Sequence, residues 1–249
     1  MSNPSFHNIL SEKFRFEPTP SQAKGFDKIA DFLSETSKDS LLLIKGYAGT
    51  GKTTMIGHLV QQLGRIRKKS VLMAPTGRAA KVLSAYAGKS ALTIHKKIYF
   101  PKVDSGGTGV QFTLKENKHT NTVFIVDESS MIGDDRQQSK LFENGSLLHD
   151  LVHYVTNGEK CQLIFVGDTA QLPPVNLGLS PALNEEELEA QFNTTVYSVT
   201  LADVVRQQAE SGILFNATNI RELLVEDQFE GFKFQLDDYK DVLRIIEGN

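Results

Sequence analysis

The stretch Gly46–Thr53, which reads GYAGTGKT, decides the fold of this chain. It matches the phosphate-binding pattern G-x-x-x-x-G-K-[ST] at every fixed position. An apolar run at 41–44 precedes it and is typical of a buried strand, and a helical pattern at 54–63 follows it. A strand, a glycine loop and a helix N-terminus together direct backbone N–H groups and a partial positive charge toward an anion. The stretch therefore predicts a phosphate loop within an α/β domain.

Two side chains of this loop carry specific roles in such a site. Lys52 is predicted to reach the β- and γ-phosphates of a nucleotide, and the Thr53 hydroxyl to ligate Mg²⁺. The alternative is a chance glycine turn, which the flanking strand and helix disfavour. The residues of the segment that we expect to bind the nucleotide are Gly46, Tyr47, Ala48, Gly49, Thr50, Gly51, Lys52, Thr53 and Thr54.

Composition sets limits on the class of protein. The chain has 249 residues and one cysteine, so an internal disulfide is excluded and a reducing compartment is favoured. That cysteine, Cys161, adjoins an apolar strand, and we expect a packed, inert thiol. The first residues show no secretory signal, and no apolar run is long enough to cross a membrane. These features predict a cytoplasmic protein without membrane contact.

The distribution of charge is more informative than the net charge of −3. Residues 1–183 hold 22 Lys and Arg against 16 Asp and Glu, whereas residues 184–249 hold 5 against 14. A polyanion is therefore expected to bind the first three-quarters of the chain. The acidic remainder also has a simpler interpretation as a solvated surface, and both interpretations can hold together.

The rest of the pattern favours a parallel sheet. Apolar strand patterns at 122–126 and 161–166 alternate with helical segments, as in α/β proteins. Between 98 and 120, glycines separate two alternating segments, which predicts an inserted β-hairpin. Residues 184–189 are acidic and are expected to be exposed.

Polar side chains follow the predicted central strands, where ligands bind in open α/β sheets. Asp127 is positioned to hold Mg²⁺, and Glu128 to orient or activate an attacking water. In the next loop, Gln171 is a candidate to position that water or to sense the γ-phosphate. Arg206 is a candidate to stabilise charge on the γ-phosphate, although a surface salt bridge is the simpler reading of an isolated arginine.

In this order, the motifs resemble those of a superfamily 1 DNA helicase of the RecD-like (RecD/Dda-type) branch. The matching segments between residues 20 and 207 read PSQ, GYAGTGKTT, APTGRAAKVL, TIH, VDESSM, GDTAQLPPV and VVRQ. The resemblance implies an α/β fold of the P-loop NTPase class, with a RecA-like parallel sheet flanked by helices and a small β-hairpin insertion at about 98–120. It also implies ATP and Mg²⁺ as cofactors and single-stranded DNA as a partner.

The resemblance carries further roles onto matching residues. It implies that Gln22 reads adenine, that Gln171 couples the γ-phosphate to DNA and that Arg206 contacts the γ-phosphate. It implies a DNA-contacting set in which one phenylalanine or the other would stack on a base, although both have an equally good interpretation as packing residues. The members of that set are Pro75, Thr76, Gly77, Arg78, Thr93, His95, Phe100 and Phe112.

The organisation of such a motor leads to two competing functions. Helicase motors of this kind use two RecA-like lobes. We expect residues 1–210 to form one lobe. We expect residues 211–249 to form an acidic segment that leads toward a second lobe, which is missing from this chain. The first hypothesis is the ATP-hydrolysing first lobe of an ATP-dependent DNA helicase, 5′–3′ by resemblance and monomeric. The alternative is a non-translocating regulatory module of P-loop type that binds nucleotide or DNA. The sequence motif GDTAQLPPV disfavours a P-loop ATPase of another class.

Overall fold

A computed structural model of the chain describes residues 4–35, 40–103, 110–134, 142–174, 177–205, 211–225, 233–236, 239 and 241–242. Eight helices and eight strands are defined within these ranges. The helices are α1 (Pro4–Glu12), α2 (Pro20–Ser34), α3 (Lys52–Gln62), α4 (Gly77–Ala87), α5 (Ile94–Ile98), α6 (Leu147–Thr156), α7 (Glu185–Phe192) and α8 (Gly212–Val225). The strands are β1 (Ser40–Gly46), β2 (Lys69–Ala74), β3 (Ala91–Thr93), β4 (Tyr99–Val103), β5 (Val110–Leu114), β6 (Thr122–Val126), β7 (Gln162–Gly167) and β8 (Thr195–Leu201).

Six of these strands form one parallel sheet in the order β3-β2-β6-β7-β1-β8. In this order β7 lies between the strand of the phosphate loop and the strand that ends before Asp127. All three strands end at the same edge of the sheet because all three are parallel. The predicted P-loop NTPase fold with a RecA-like parallel sheet is confirmed, and the topology places the candidate catalytic loops side by side.

Alternate residues of the central strands supply two separate hydrophobic cores. Leu42 and Ile44 of β1 face one core, which α1 to α4 cover, and Leu41 and Leu43 face the other, which α5 to α7 cover. All four leucine and isoleucine side chains are buried. A sheet covered by helices on both faces explains why its central strands read as continuous apolar runs.

The predicted insertion is present as an antiparallel pair, β4 and β5, separate from the main sheet. Residues 104–109, which include the predicted glycine turn, lie outside the described residues. The root of the hairpin is held by Tyr99, whose hydroxyl donates to Oδ2 of the fully buried Asp150 at 2.7 Å. The backbone N–H groups of Glu143 and Asn144 also donate to this carboxylate. The hairpin is thereby tied to α6 by a buried and well-hydrogen-bonded charge.

One expectation about local structure needs correction, two elements were not predicted, and one further expectation is confirmed. The predicted exposed stretch at 184–189 includes the start of α7, which Asn184 caps; Glu186 and Glu189 are exposed, but Leu188 is fully buried in the core. Strand β8 and helix α6 were not predicted from the sequence. The predicted packed state of Cys161 is confirmed, since its side chain is buried and burial raises the pKa of its thiol.

Candidate nucleotide-binding and DNA-binding site

The phosphate loop is a tight turn between β1 and α3. Gly49 and Gly51 have φ angles of 85° and 81°, a left-handed conformation that glycine adopts without a Cβ clash. Lys52 donates from Nζ to the carbonyl oxygens of Gly46 at 2.6 Å and Tyr47 at 2.9 Å. Its ammonium group is therefore held against the loop itself, and its contact with phosphates stays a prediction.

Gln22 packs against this loop and is almost fully buried. Its Nε2 donates to the carbonyl oxygen of Thr50 at 2.9 Å, while its Oε1 accepts from the backbone N–H of Thr19 at 3.1 Å. The second contact belongs to a capping box that begins α2. Gln22 therefore couples the start of α2 to the phosphate loop, a structural role that the sequence did not reveal.

A cavity of about 440 Å³ opens beside Gln22 and the end of the phosphate loop. Its walls include Phe14 and Phe16, and Gly51 and Thr54 lie at its border with the phosphate loop. No motif in the sequence marks the segment 13–17 as part of a site. The only signal was the alternation of aromatic and charged residues just before the proline that begins α2.

Asp127 and Glu128 follow β6 and lie at the same edge of the sheet. Asp127 is buried, and burial together with the charge of Glu128 raises the pKa of Asp127 to about 6, while the ammonium of Lys52 acts in the opposite direction. Lys52 and Asp127 are thus close enough to interact across β7. Glu128 has a φ of 56°, a left-handed conformation that is rare outside glycine and concentrates at functional sites.

A hydrogen bond connects this acidic pair to the loop after β7. Ser130 donates from Oγ to Oε1 of Gln171 at 2.8 Å. Gln171 is itself exposed, and its backbone N–H donates to the carbonyl oxygen of Asp168 at 3.3 Å. Because its oxygen is engaged by Ser130, the Gln171 amide has a preferred orientation, and its NH₂ end is turned away from the serine. The sequence motif contained Ser130, but only the structure shows this contact.

The segment after β8 docks on the phosphate loop. Asp203 accepts from the backbone N–H of Ser21 at 2.7 Å, and the N–H of Val205 donates to the carbonyl oxygen of Gly49 at 3.0 Å. These contacts explain why the chain returns to the nucleotide edge directly before Arg206. Arg206 itself lies outside the described residues, so its predicted role stays a prediction.

Six of the eight predicted DNA-contacting residues lie at or just after two neighbouring strand ends, and Phe100 and Phe112 lie on the hairpin. Pro75 to Arg78 follow β2, and Thr76 caps α4 by accepting from the N–H of Ala79 at 3.2 Å. Thr93 ends β3 and caps α5 through the N–H of Lys96 at 3.2 Å. Since β2 and β3 are adjacent and parallel, these two groups share the edge of the sheet with the nucleotide residues.

The three aromatic members of that set have different environments. His95 and Phe112 pack in an aromatic cluster with Tyr99 and Phe142, with ring centroids 5.1 to 6.2 Å apart. Burial lowers the pKa of His95, so its ring is held neutral. Phe100, by contrast, is 59% exposed. The geometry therefore favours packing for Phe112 and leaves Phe100 as the more accessible ring for a base.

A family model described as the AAA domain matches residues 20–235, most of the chain. The chain belongs to this AAA domain family. The matched range includes the phosphate loop, the Asp127–Glu128 pair and the loop that carries Gln171. The predicted resemblance to the N-terminal lobe of RecD-like superfamily 1 helicases is also confirmed.

Curated relatives of this AAA domain include two named helicases. The ATP-dependent RecD2 DNA helicase of Deinococcus radiodurans is 32% identical over 188 residues, which cover 74% of this chain and 22% of the relative. The ATP-dependent DNA helicase dda of Enterobacteria phage T4 is 30% identical over 211 residues, which cover 82% and 42%. The chain therefore spans less than half the length of either relative.

Among solved structures, the Pif1 helicase from Candida albicans matches with a TM-score of 0.50 and 23% identity, over 82% of this chain and 44% of that one. At this identity the likeness shows the fold alone. Within the described residues, no helix is long and apolar enough to span a membrane. The predicted domain boundary, with one lobe at 1–210 and an acidic segment at 211–249, stays a prediction.

Proposed function

We propose that this AAA domain is the ATP-binding and ATP-hydrolysing first motor lobe of an ATP-dependent DNA helicase. The single observation that carries the proposal is the convergence of three loops around the end of β7: the phosphate loop, the Asp127–Glu128 pair and the loop of Gln171. The two named helicases of the preceding section support the choice of a DNA motor over other nucleoside triphosphatases.

Each residue of this convergence has a task that its environment favours. Lys52 would contact the β- and γ-phosphates, for which its ammonium is already held over the loop. Glu128 would orient the attacking water, since it directly follows Asp127 at the end of β6 and its side chain is half-buried with a left-handed backbone. Gln171, oriented by Ser130, would report the γ-phosphate to the neighbouring DNA edge.

The same edge fits Mg²⁺ by its chemistry. Thr53 and Asp127 offer a hydroxyl and a carboxylate oxygen, the hard ligands that Mg²⁺ prefers. Burial and then the charge of Glu128 raise the pKa of Asp127, and a bound cation would act in the opposite direction by favouring the carboxylate. When bound, Mg²⁺ would neutralise charge on the phosphates.

The cavity beside Gln22 is the proposed site of the nucleotide base. It adjoins the phosphate loop, and its aromatic wall of Phe14 and Phe16 suits a planar ring. Arg15 lies over the Phe16 ring at 5.5 Å, so the wall is also cationic. Because both ends of the Gln22 amide are already engaged, we propose that Gln22 reads adenine with its remaining N–H group.

Single-stranded DNA is proposed to cross the ends of β2 and β3. Thr76, Arg78 and Thr93 offer hydroxyl and guanidinium groups there, which suit contacts to phosphates. We further propose 5′–3′ translocation, a second RecA-like lobe that completes the ATP cleft, and a monomer as the working unit. A cytoplasmic location stays a prediction from the sequence.

Nucleotide binding and hydrolysis by the 249-residue chain test the proposal. Lys52→Ala should abolish binding of a fluorescent ATP analogue with Mg²⁺. Lys45→Ala is the matched control, since Lys45 precedes the same loop but pairs with Glu185. Glu128→Gln should retain binding and slow hydrolysis by roughly 10² or more, as expected for loss of a catalytic base.

Three results would count against parts of the proposal. Equal nucleotide affinity in the Lys52→Ala chain and the wild type would remove the assigned phosphate site. DNA-stimulated turnover typical of a whole motor would contradict the one-lobe organisation. Tight binding of nucleotide and DNA with no measurable hydrolysis would instead favour the regulatory module.

A further inference from the structure

A second cationic site lies on the flank of the domain, away from the phosphate loop. It is a recess of about 380 Å³ beside the edge strand β3, between α5 and the chain that leaves the hairpin. We call it the basic pocket. The charged and titratable residues that line it are Lys96, Lys97, Lys115, Glu116, Lys118 and His119.

Among the described residues, few carboxylates compensate the cations of the basic pocket. Among its described lining residues the single carboxylate is Glu116, which pairs with Lys118 at 3.4 Å, and both side chains are highly exposed. Lys97 donates from Nζ to Nε2 of His119 at 2.7 Å, so its partner is a neutral ring rather than an anion. Burial and then the charge of Lys115 lower the pKa of Lys97, which is the sign of cations held close together.

The basic pocket is continuous with the predicted DNA edge. The short helix α5 carries His95 of that edge and, directly after it, Lys96 and Lys97 of the pocket. Lys115 links the pocket to the hairpin, because its Nζ donates to the carbonyl oxygen of Lys96 at 2.9 Å and lies 5.0 Å from the ring centroid of the exposed Phe100. DNA that leaves the strand ends beside the hairpin would therefore pass over the pocket.

We propose that the basic pocket binds backbone phosphates of the duplex arm of a DNA fork, outside the track of the single strand. This inference rests on the proposed function and adds a second DNA contact to the proposed single-strand track. Several lysines around one recess provide the non-specific attraction that a phosphate backbone requires. Contacts of this kind position the nucleic acid without reading its sequence.

Binding of the 249-residue chain to two fluorescent DNAs tests the inference. One DNA is a single-stranded tail, and the other is the same tail joined to a duplex. The test variant combines Lys96→Gln with Lys118→Gln, because both side chains are exposed and their replacement should have little effect on folding stability. The matched control is Lys24→Gln with Lys28→Gln on α2, which packs against β8 at the opposite edge of the sheet.

The test variant should lose on the order of tenfold in affinity for the tailed duplex. A plot of the logarithm of the binding constant against the logarithm of the salt concentration should become shallower by about one unit of slope per lysine. Its affinity for the tail alone and its ATP binding should be unchanged, and the control should match the wild type on both DNAs. A melting curve equal to that of the wild type would exclude a folding defect.

Other outcomes would separate this inference from the proposed function. Equal losses on tail and tailed duplex would assign the lysines to the single-strand track and overturn the duplex contact. No loss on either DNA, with normal wild-type binding, would overturn the pocket while the motor assignment stands. A wild-type chain that binds ATP but neither DNA would overturn both proposals.

Discussion

Substitution of Gly51 by alanine should destabilise the domain through two separable effects. Gly51 has a φ of 81°, and a left-handed backbone costs an alanine about 1–2 kcal/mol. A Cβ at this position would lie 2.6 Å from Nε2 of Gln22 and 3.2 Å from Cγ2 of Val205. The glutamine must therefore move, and loss of its hydrogen bond to Thr50 adds about 1 kcal/mol. The expected total is about 2–3 kcal/mol of unfolding free energy.

Two other glycines separate these effects. Gly88 has a φ of 61° but nothing within 4 Å of a built Cβ, so Gly88→Ala should show only the backbone cost. Gly64 has open space and no positive φ, so Gly64→Ala should be neutral or stabilise by about 0.4–1 kcal/mol. Together they form a graded series with the phosphate-loop glycine at its extreme.

Urea denaturation of the three variants and the wild type measures this series. The expected order of destabilisation is Gly51→Ala, then Gly88→Ala, then Gly64→Ala. Equal losses at Gly51 and Gly88 would refute the claim that Gln22 is packed against the loop. Nucleotide affinity should fall in the Gly51→Ala chain alone, because only that glycine shapes the proposed phosphate site.

Three further predictions concern protonation, the hairpin and the Gln171 loop. Burial lowers the pKa of His58 below its usual 6.5, so the folded state binds fewer protons than the unfolded state and stability should fall as pH drops below that value. His58→Gln should flatten this dependence in denaturation curves taken between pH 7.5 and 5.5, and an unchanged slope would contradict the assignment. Tyr99→Phe should cost about 1.5–3 kcal/mol in the same assay because it removes a donor to the buried carboxylate of Asp150, and a loss near zero would show that the tie is unimportant. Ser130→Ala should leave ATP affinity intact but slow hydrolysis roughly five-fold, the equivalent of one hydrogen bond, since the Gln171 amide loses its preferred orientation; turnover at the wild-type rate would argue against that role.

The positions of many candidate site residues were predictable because these residues lie within or directly beside a recognisable motif or an apolar strand. The phosphate loop has a fixed spacing, and its glycines are required by local backbone geometry alone. Asp127 and Glu128 follow an apolar strand directly, so their place at the sheet edge follows from the pattern of parallel α/β proteins. The roles of Arg206 and the DNA-contacting residues depended on resemblance, since no local spacing specifies them.

Other features depend on contacts between distant segments, which no local pattern contains. Strand β8 is half-exposed at the edge of the sheet, so it lacks the continuous apolar run that revealed β1 and β7. The acidic start of α7 suggested exposure, yet Leu188 is buried against the core. The cavity beside Gln22 combines the 13–17 segment with residues from α3, α4 and the segment after β8.

The amino-acid sequence alone established a phosphate loop, an acidic pair after a buried strand and a parallel α/β sheet, because these depend on spacing and periodicity within short segments. The tertiary structure decided that β7 separates the two ATP-site strands, that Ser130 orients Gln171 and that four lysines from two segments surround one recess. Strand order and side-chain convergence arise from packing of the whole chain, where a contact between residues far apart in sequence is stabilised only once the intervening core has formed.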